Sequence, residues 1–305
     1  TGRSQPLTAK LEVDRRAYRL LGLGDAEPMV QQALDITATQ TTYTFACPEV
    51  KVTVRFTSPL LPDDLDLFSR PVTYVTFEAR SLDTKPHDLR LTFGLSGLVA
   101  VNTGDQIARG ETSEAGRVLF GRVGTIEQPI LEKRGDDLRI DWGYAYLSAM
   151  KGQGWSIGTS SKSPMPAEKL TLSATKELKA VTEFSGWLMI AFDDLVGLRY
   201  FDADLPPFWR RKHGTDGLAI LNRAAQDRMS ILERCDRFDR ELFSDLERVG
   251  GRKYAELSSL AYRQAVAGNK LVADSKGRPL LFPKENFSNG CIGTVDVIYP
   301  MAPLW

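Results

Sequence analysis

Histidine, cysteine and any surplus of charge are scarce in this chain of 305 residues. The two histidines, His87 and His213, are too few for a histidine-rich metal site and leave at most two candidate bases for a catalytic triad. The three cysteines, Cys47, Cys235 and Cys291, lie far apart without the paired spacing of a zinc site. An odd number excludes a full disulfide framework; one bridge stays open, and free thiols are the favoured reading. Lysines plus arginines number 39, as do aspartates plus glutamates, so no basic excess points to nucleic acid and no acidic excess to a solvating tail. No apolar run reaches the roughly 18 residues of a membrane-spanning helix. The opening "TGRSQPLTAKLEV" has no signal-peptide pattern, which leaves the compartment open.

What is present is globular in kind, with 42% hydrophobic and 26% charged residues. The first two hundred residues alternate as strands do. "VKVTVRF" sets Val50, Val52, Val54 and Phe56 on one face, with Lys51, Thr53 and Arg55 on the other. "LRLTFGL" repeats this with Leu89, Leu91, Phe93 and Leu95, and "LRIDWGYAY" with Leu138, Ile140, Trp142, Tyr144 and Tyr146. "TTYTF", "VTYVTF" and "KLTLSA" are shorter instances. "WLMIAF", Trp187 to Phe192, is apolar throughout and suits a strand covered on both faces. Turn signals at 102–104, 135–137 and 152–154 punctuate the runs. Many antiparallel strands over this length imply two stacked sheets.

The period changes near Asp216, a candidate helix cap. Leu218, Leu221, Ala225, Leu232, Cys235, Phe238, Leu242, Leu246 and Val249 follow at helical spacing, and Gly250–Gly251 ends the run. A second helix is predicted from Lys253 to about Ala273, with Tyr254, Leu257, Ala261, Ala265 and Gly268 as its apolar face. The expected organisation is a sandwich over 1–198, an ordered linker over 199–217 rich in proline and aromatics, and a helical region over 218–305. A lone hairpin has more apolar surface than one neighbour covers, so its outer face is expected to be uncovered, awaiting further helices or another subunit.

Four long stretches carry a resemblance: "SPLLPDDLDLFSRPVTYVTFEARSLDTKPHD" (58–88), "FDDLVGLRYFDADLPPFWRR" (192–211), "VGGRKYAELSSLAYRQAVAGNKLV" (249–272) and "KENFSNGCIGTVDVIYPMAPLW" (284–305). In this order they resemble the glutaminase A family of fungi and bacteria. The resemblance implies a multidomain β-then-α protein. An N-terminal antiparallel β-sandwich of the super-sandwich type is followed by an (α/α) toroid of six-hairpin glycosidase type, of which only the first hairpin is expected here. On this reading the chain is a piece lacking most of the toroid. The implied activity is hydrolysis of L-glutamine to L-glutamate and ammonia, without cofactor or metal, in a secreted or periplasmic protein.

The stretch 284–296 is dense in ionisable and amide side chains and is expected to face a pocket at the end of the hairpin. Glu285 and Asp296 are a candidate carboxylate pair for acid–base work. Lys284, Asn286, Ser288 and Asn289 are candidate substrate ligands, and Ser288, Cys291 and Thr294 candidate nucleophiles. Asp193 and Asp194, directly after the apolar strand, are further catalytic candidates; capping or a salt bridge to Arg199, Arg210 or Arg211 is the plainer reading. Arg263 is a candidate for a bidentate pair with a substrate carboxylate, against an ion pair within the hairpin. "LPDDLD" offers Asp63, Asp64 and Asp66 to calcium, though a solvated turn is the plainer reading. Trp155 and Phe208–Trp209 suit either sugar stacking or burial, and both histidines are expected in surface turns. Two other functions stand beside the glutaminase reading. One is a six-hairpin glycoside hydrolase, which needs two carboxylates; the other is a non-catalytic sandwich that binds carbohydrate or organises subunits, betrayed by exposed aromatic rows.

Overall fold

The computed structural model describes residues 6–133, 135, 137–213, 217–284, 292–293 and 295–301. Among them, two sheets stack face to face. From edge to edge, the nine-stranded sheet runs Met165–Pro166, Ile107–Ala115, Val118–Thr125, Tyr144–Met150, Glu183–Asp193, Val72–Ser81, Val50–Thr57, Gln40–Ala46 and Val30–Ile36. The six-stranded sheet runs Trp155–Thr159, Thr171–Val181, His87–Ser96, Leu7–Val13, Arg16–Leu21 and Glu27–Pro28. Only its last pairing is parallel. The alternation read from sequence decides which side chains enter the space between the sheets. Val50, Val52 and Val54 from one sheet meet Leu89, Leu91, Phe93 and Leu95 from the other, all buried. Each such side chain contributes roughly 1.5–3 kcal/mol of transfer free energy relative to exposure.

The strand Glu183–Asp193 sits in the middle of the larger sheet, which explains its unbroken apolar run. Leu188 joins the intersheet core, while Trp187 and Met189 project from the opposite face. That outer face is covered by the long helix Gly217–Gly250, which buries Ile220, Leu221, Ala224, Ile231 and Cys235 against Tyr74, Phe120, Tyr146 and Trp187. Backbone and ring come close at Ala224, whose carbonyl accepts a hydrogen bond from Tyr74 Oη at 2.9 Å. Burial pushes the Cys235 thiol up to about 12, so it is a packing group rather than a nucleophile. Farther along, buried Asp239 accepts from Thr39 N (2.9 Å), Thr39 Oγ1 (2.8 Å), Thr37 Oγ1 (2.5 Å) and Gln40 Nε2 (3.0 Å), tying the helix to a strand turn.

The chain reverses at Gly251 into the return helix Arg252–Ala267. Sequence reasoning ran this helix to Ala273; it ends at Gly268, and Asn269–Ala273 is instead a strand paired with Pro279–Pro283. Pairing of this five-residue run with a proline-flanked partner strand outweighed the helical pattern. The buried face also differs from the expected one. Ala255, Ser259 and Val266 pack inward, whereas Tyr254, Leu257 and Leu260 are exposed. Of the outer-face side chains expected to be uncovered, Leu257 is exposed, but Leu221 and Leu271 are buried by this chain.

Two further expectations are corrected. "LRIDWGYAY" is a strand only from Tyr144; residues 138–143 form a packed loop around buried Asp141, which accepts from Gln106 Nε2 at 2.9 Å and pairs with Lys133. His87 is not in a surface turn. It is buried at the start of its strand, with Nδ1 2.6 Å from Asp14 Oδ2 and Nε2 2.9 Å from Asp83 Oδ1. Asp216, the expected cap of the long helix, lies outside the described residues. No helix among the described residues is long and apolar enough to cross a membrane.

Candidate functional site at the junction of sandwich and helices

The central strand ends in two adjacent carboxylates with opposite surroundings. Strand alternation turns Asp193 toward the helical face, where Arg210 donates to it through Nε at 3.1 Å and Nη2 at 2.5 Å. Both side chains are almost wholly buried. The long helix begins against this pair. A Cβ on Gly217 would stand 2.8 Å from Asp193 Oδ2, so only glycine allows the approach. The carboxylate lies at the helix's N-terminal end, where the macrodipole favours negative charge. With Leu195 N also donating to Oδ1 at 3.2 Å, Asp193 is committed to holding the structure together.

Asp194 leaves the strand on the other side and pairs with Lys270 Nζ from the strand Asn269–Ala273. Its backbone is clamped as firmly. Trp142 Nε1 donates to the Asp194 carbonyl at 2.7 Å and to Val196 O at 3.1 Å, and Val196 N donates to the same Asp194 carbonyl. Leu195 is held at φ 54°, a left-handed value that costs a non-glycine residue free energy. Gly143, at φ 78°, lies so close beneath that a Cβ would run into the Asp193 carbonyl oxygen.

Asp194 and Lys270 line a cavity of about 360 Å³. Its walls come from the loops at 58–60 and 68–73, from Ile140 and Trp209, from Val266 and Ala267 at the end of the return helix, and from Asn269, Leu271 and Leu281. The cavity thus lies between the end of the sandwich and the helical hairpin. Lys284 is not among the residues that line it; its backbone N–H donates to Gly268 O at 2.8 Å. Burial, and next the charge of Lys270, lower the Lys284 ammonium below the usual lysine range, with Asp194 opposing.

The remaining sequence candidates fall elsewhere. Glu285, Asn286, Ser288, Asn289, Cys291 and Thr294 lie outside the described residues. Asp296 is exposed in the first turn of a short helix, Val295–Met301, and does not line the cavity. Arg263 Nη1 donates to Gln40 O at 2.9 Å and Thr41 Oγ1 at 2.7 Å, joining the return helix to the sandwich. Asp63 and Asp64 pair with Arg234, and Asp66 with Arg211 and Lys212; Asp64 also caps the helix Leu65–Phe68. Trp142, Trp155, Trp187 and Trp209 are all buried, leaving no aromatic row on the sandwich among the described residues. Sequence reasoning singled out Asp194 but not Lys270, its partner 76 positions away, nor Trp142 as the clamp on its backbone. A pairing across that separation leaves no local pattern. No cluster of His, Cys, Asp and Glu with metal-holding geometry occurs among the described residues.

An antiparallel two-sheet sandwich with a helical hairpin on its outer face, and a charged cavity where the two meet, defines the class of protein. Residues 39–245 match the family described as a domain of unknown function (DUF5127), and residues 251–305 match the Glutaminase A six helical-hairpin domain. The chain belongs to the DUF5127 family. A curated relative, Glutaminase A of Aspergillus oryzae, is 25% identical over 97% of this chain. The chain spans about half, 47%, of that relative's length. Among solved structures, a heparan sulfate lyase HepC mutant from Pedobacter heparinus aligns over 60% of this chain and 23% of its own, at 8% identity and a TM-score of 0.33. That likeness is too slight to carry an argument.

Proposed function

We propose that this chain is the sandwich and first helical part of a glutaminase A-like amidohydrolase, which cleaves the side-chain amide of L-glutamine to L-glutamate and ammonia. The observation that carries the reading is the ordered pair of family matches, sandwich then six-hairpin start, meeting within a few residues of the turn between the two helices. The relative's name adds support for the amide substrate. The junction cavity is consistent with it: its volume falls within the roughly 300–1,000 Å³ of small-molecule sites. Asp194 lines that cavity, which supports its choice as the acid–base group, and Asp193, locked to Arg210, serves as its foundation.

The test is ammonia release from L-glutamine, measured on a protein of the relative's full length alongside reducing-end release from oligosaccharides. Ammonia with no new reducing ends is the expected outcome. New reducing ends without ammonia would replace the reading with a glycoside hydrolase. Saturable carbohydrate binding with neither product would replace it with a binding module.

A further inference from the structure

An edge strand offers its unpaired backbone groups to any extended segment, and sheets blunt such edges by shortness, proline or charge. Three of the four sheet edges here are blunted or covered. The nine-stranded sheet stops on one side at Met165–Pro166 and the six-stranded sheet at Glu27–Pro28, each two residues long and ending in proline. On the other side of the six-stranded sheet, only Ser156 of Trp155–Thr159 is exposed. The fourth edge, Val30–Ile36, has none of these devices. All seven of its residues are exposed, and "VQQALDI" holds no lysine, arginine, proline or glycine; its one charge is Asp35. A bulge between Gln31 and Ala33 leaves the ladder regular from Ala33 onward. Thr37 N donates to Gln40 O, and bonding alternates along an antiparallel ladder. Ala33 and Asp35 therefore bond inward to the neighbouring strand, while the main-chain groups of Leu34 and Ile36 face the open side. The side chains of Leu34 and Ile36 lie on the face that continues the intersheet core, because Leu34 pairs with Tyr43 and Tyr43 with Val54. Both are nevertheless exposed.

We infer that this edge is an interaction surface and that its occupant is a second copy of the same chain, paired antiparallel across a two-fold axis at Leu34. Such a pairing is self-complementary, as a closed dimer requires. Each Leu34 exchanges both of its outward main-chain bonds with the partner's Leu34. The two leucine side chains then lie side by side on the core face, and Ile36 of each copy lengthens the apolar row. Asp35 of one copy falls opposite the partner's Ala33, so the only two carboxylates on the paired strands do not meet. Centring the pair on Asp35 instead would set them face to face, which disfavours that register. A foreign extended peptide would meet the same main-chain groups, but the chain's own strand also supplies the matching apolar face and the matching placement of charge. The two nine-stranded sheets thereby become one continuous sheet. This inference is independent of the amidohydrolase reading.

Sedimentation equilibrium of the 305-residue chain, from about 1 to about 300 µM, tests it. The expected result is a reversible monomer–dimer equilibrium in the micromolar range, as befits a short interface. Leu34→Pro removes the outward N–H and spares the inward bonds, so it should weaken dimerisation about tenfold or more. Leu34→Lys keeps every main-chain donor and should weaken it as much by placing like charges together at the axis. Both variants should melt as wild type does at the lowest concentration, where the chain is monomeric. The paired Leu34 Cα atoms would stand about 5.5 Å apart, within the roughly 4.4–6.8 Å that a disulfide spans. Leu34→Cys should therefore form a disulfide-linked dimer on mild oxidation, where the wild-type chain forms none. A wild-type chain that stays monomeric throughout, dimerisation unchanged in folded Leu34→Lys, or no cross-link in Leu34→Cys would each overturn the inference. Dimerisation lost in Leu257→Gln but kept in Leu34→Lys would overturn it too, assigning the contact to the exposed stripe of the return helix.

Discussion

Asp193 and Asp194 are chemically identical neighbours, and their surroundings give them different work. Removing Asp193 leaves Arg210 buried without its carboxylate, so Asp193→Ala should cost about 3–5 kcal/mol in denaturant unfolding, the range for a broken buried ion pair. A cost under about 1 kcal/mol would show that Arg210 finds water or another acceptor. His87 offers a titratable counterpart at the far end of a strand. The hydrogen bond to Asp14, and next that to Asp83, raise its pKa above the ordinary 6.5. Asp83, pulled down to about 2 chiefly by its bond to His87, stays charged throughout the neutral and mildly acid range. A raised folded-state pKa contributes stability that is complete below about 6.5 and fades as pH rises through the folded value. The melting temperature of wild type should therefore exceed that of His87→Gln most at mildly acid pH, with the gap narrowing as pH rises. A gap that widens with pH would mean the imidazole is held neutral.

At the scale of elements, the return helix separates what pattern can and cannot reveal. Its apolar spacing announced a helix, but two stripes satisfy helical periodicity, and the one with larger side chains is the one left in solvent. Ala255 and Ser259 face inward and are fully buried. Ala255→Leu should accordingly destabilise by about 1–3 kcal/mol through overpacking. Leu257→Gln, on the exposed stripe, should change the stability of this chain by no more than about 0.5 kcal/mol. Equal effects from the two would reverse the assignment of faces. The strands were more legible, because a period of two with one buried face leaves little choice of register, as Val50–Val54 and Leu89–Leu95 show. The loop 138–143 misled for a definite reason: its alternating side chains are ordered by Asp141 and Trp142 reaching to distant partners, not by a sheet neighbour. The cavity was half legible. An aspartate pair after an apolar strand is a local signal, whereas the lysine that meets it is brought there only by the whole fold.

In the whole molecule, the hairpin is fastened to the sandwich by polar ties as well as apolar packing: Asp239 to the turn at 37–40, Arg263 to Gln40 and Thr41, Tyr262 Oη to Leu60 O at 2.7 Å. The strand order of the nine-stranded sheet has a consequence for how the chain comes to exist. Within this sheet, among the described residues, two groups of strands, one spanning residues 30–81 and one spanning 107–166, are paired to each other only through Glu183–Asp193, which lies between Tyr144–Met150 and Val72–Ser81. During synthesis both groups leave the ribosome well before the strand that joins them. For that interval each presents an open, largely apolar edge that invites pairing with another nascent chain. A chain stopped at residue 182 should aggregate on translation, and the 305-residue chain, with both the joining strand and the helix that covers the sheet, should stay dispersed, in a cell-free reaction without chaperones. If both remain soluble, the open edges are shielded by some other means. The strand that leads directly into the cavity's carboxylate is thus also the one whose arrival ends the molecule's most vulnerable moment.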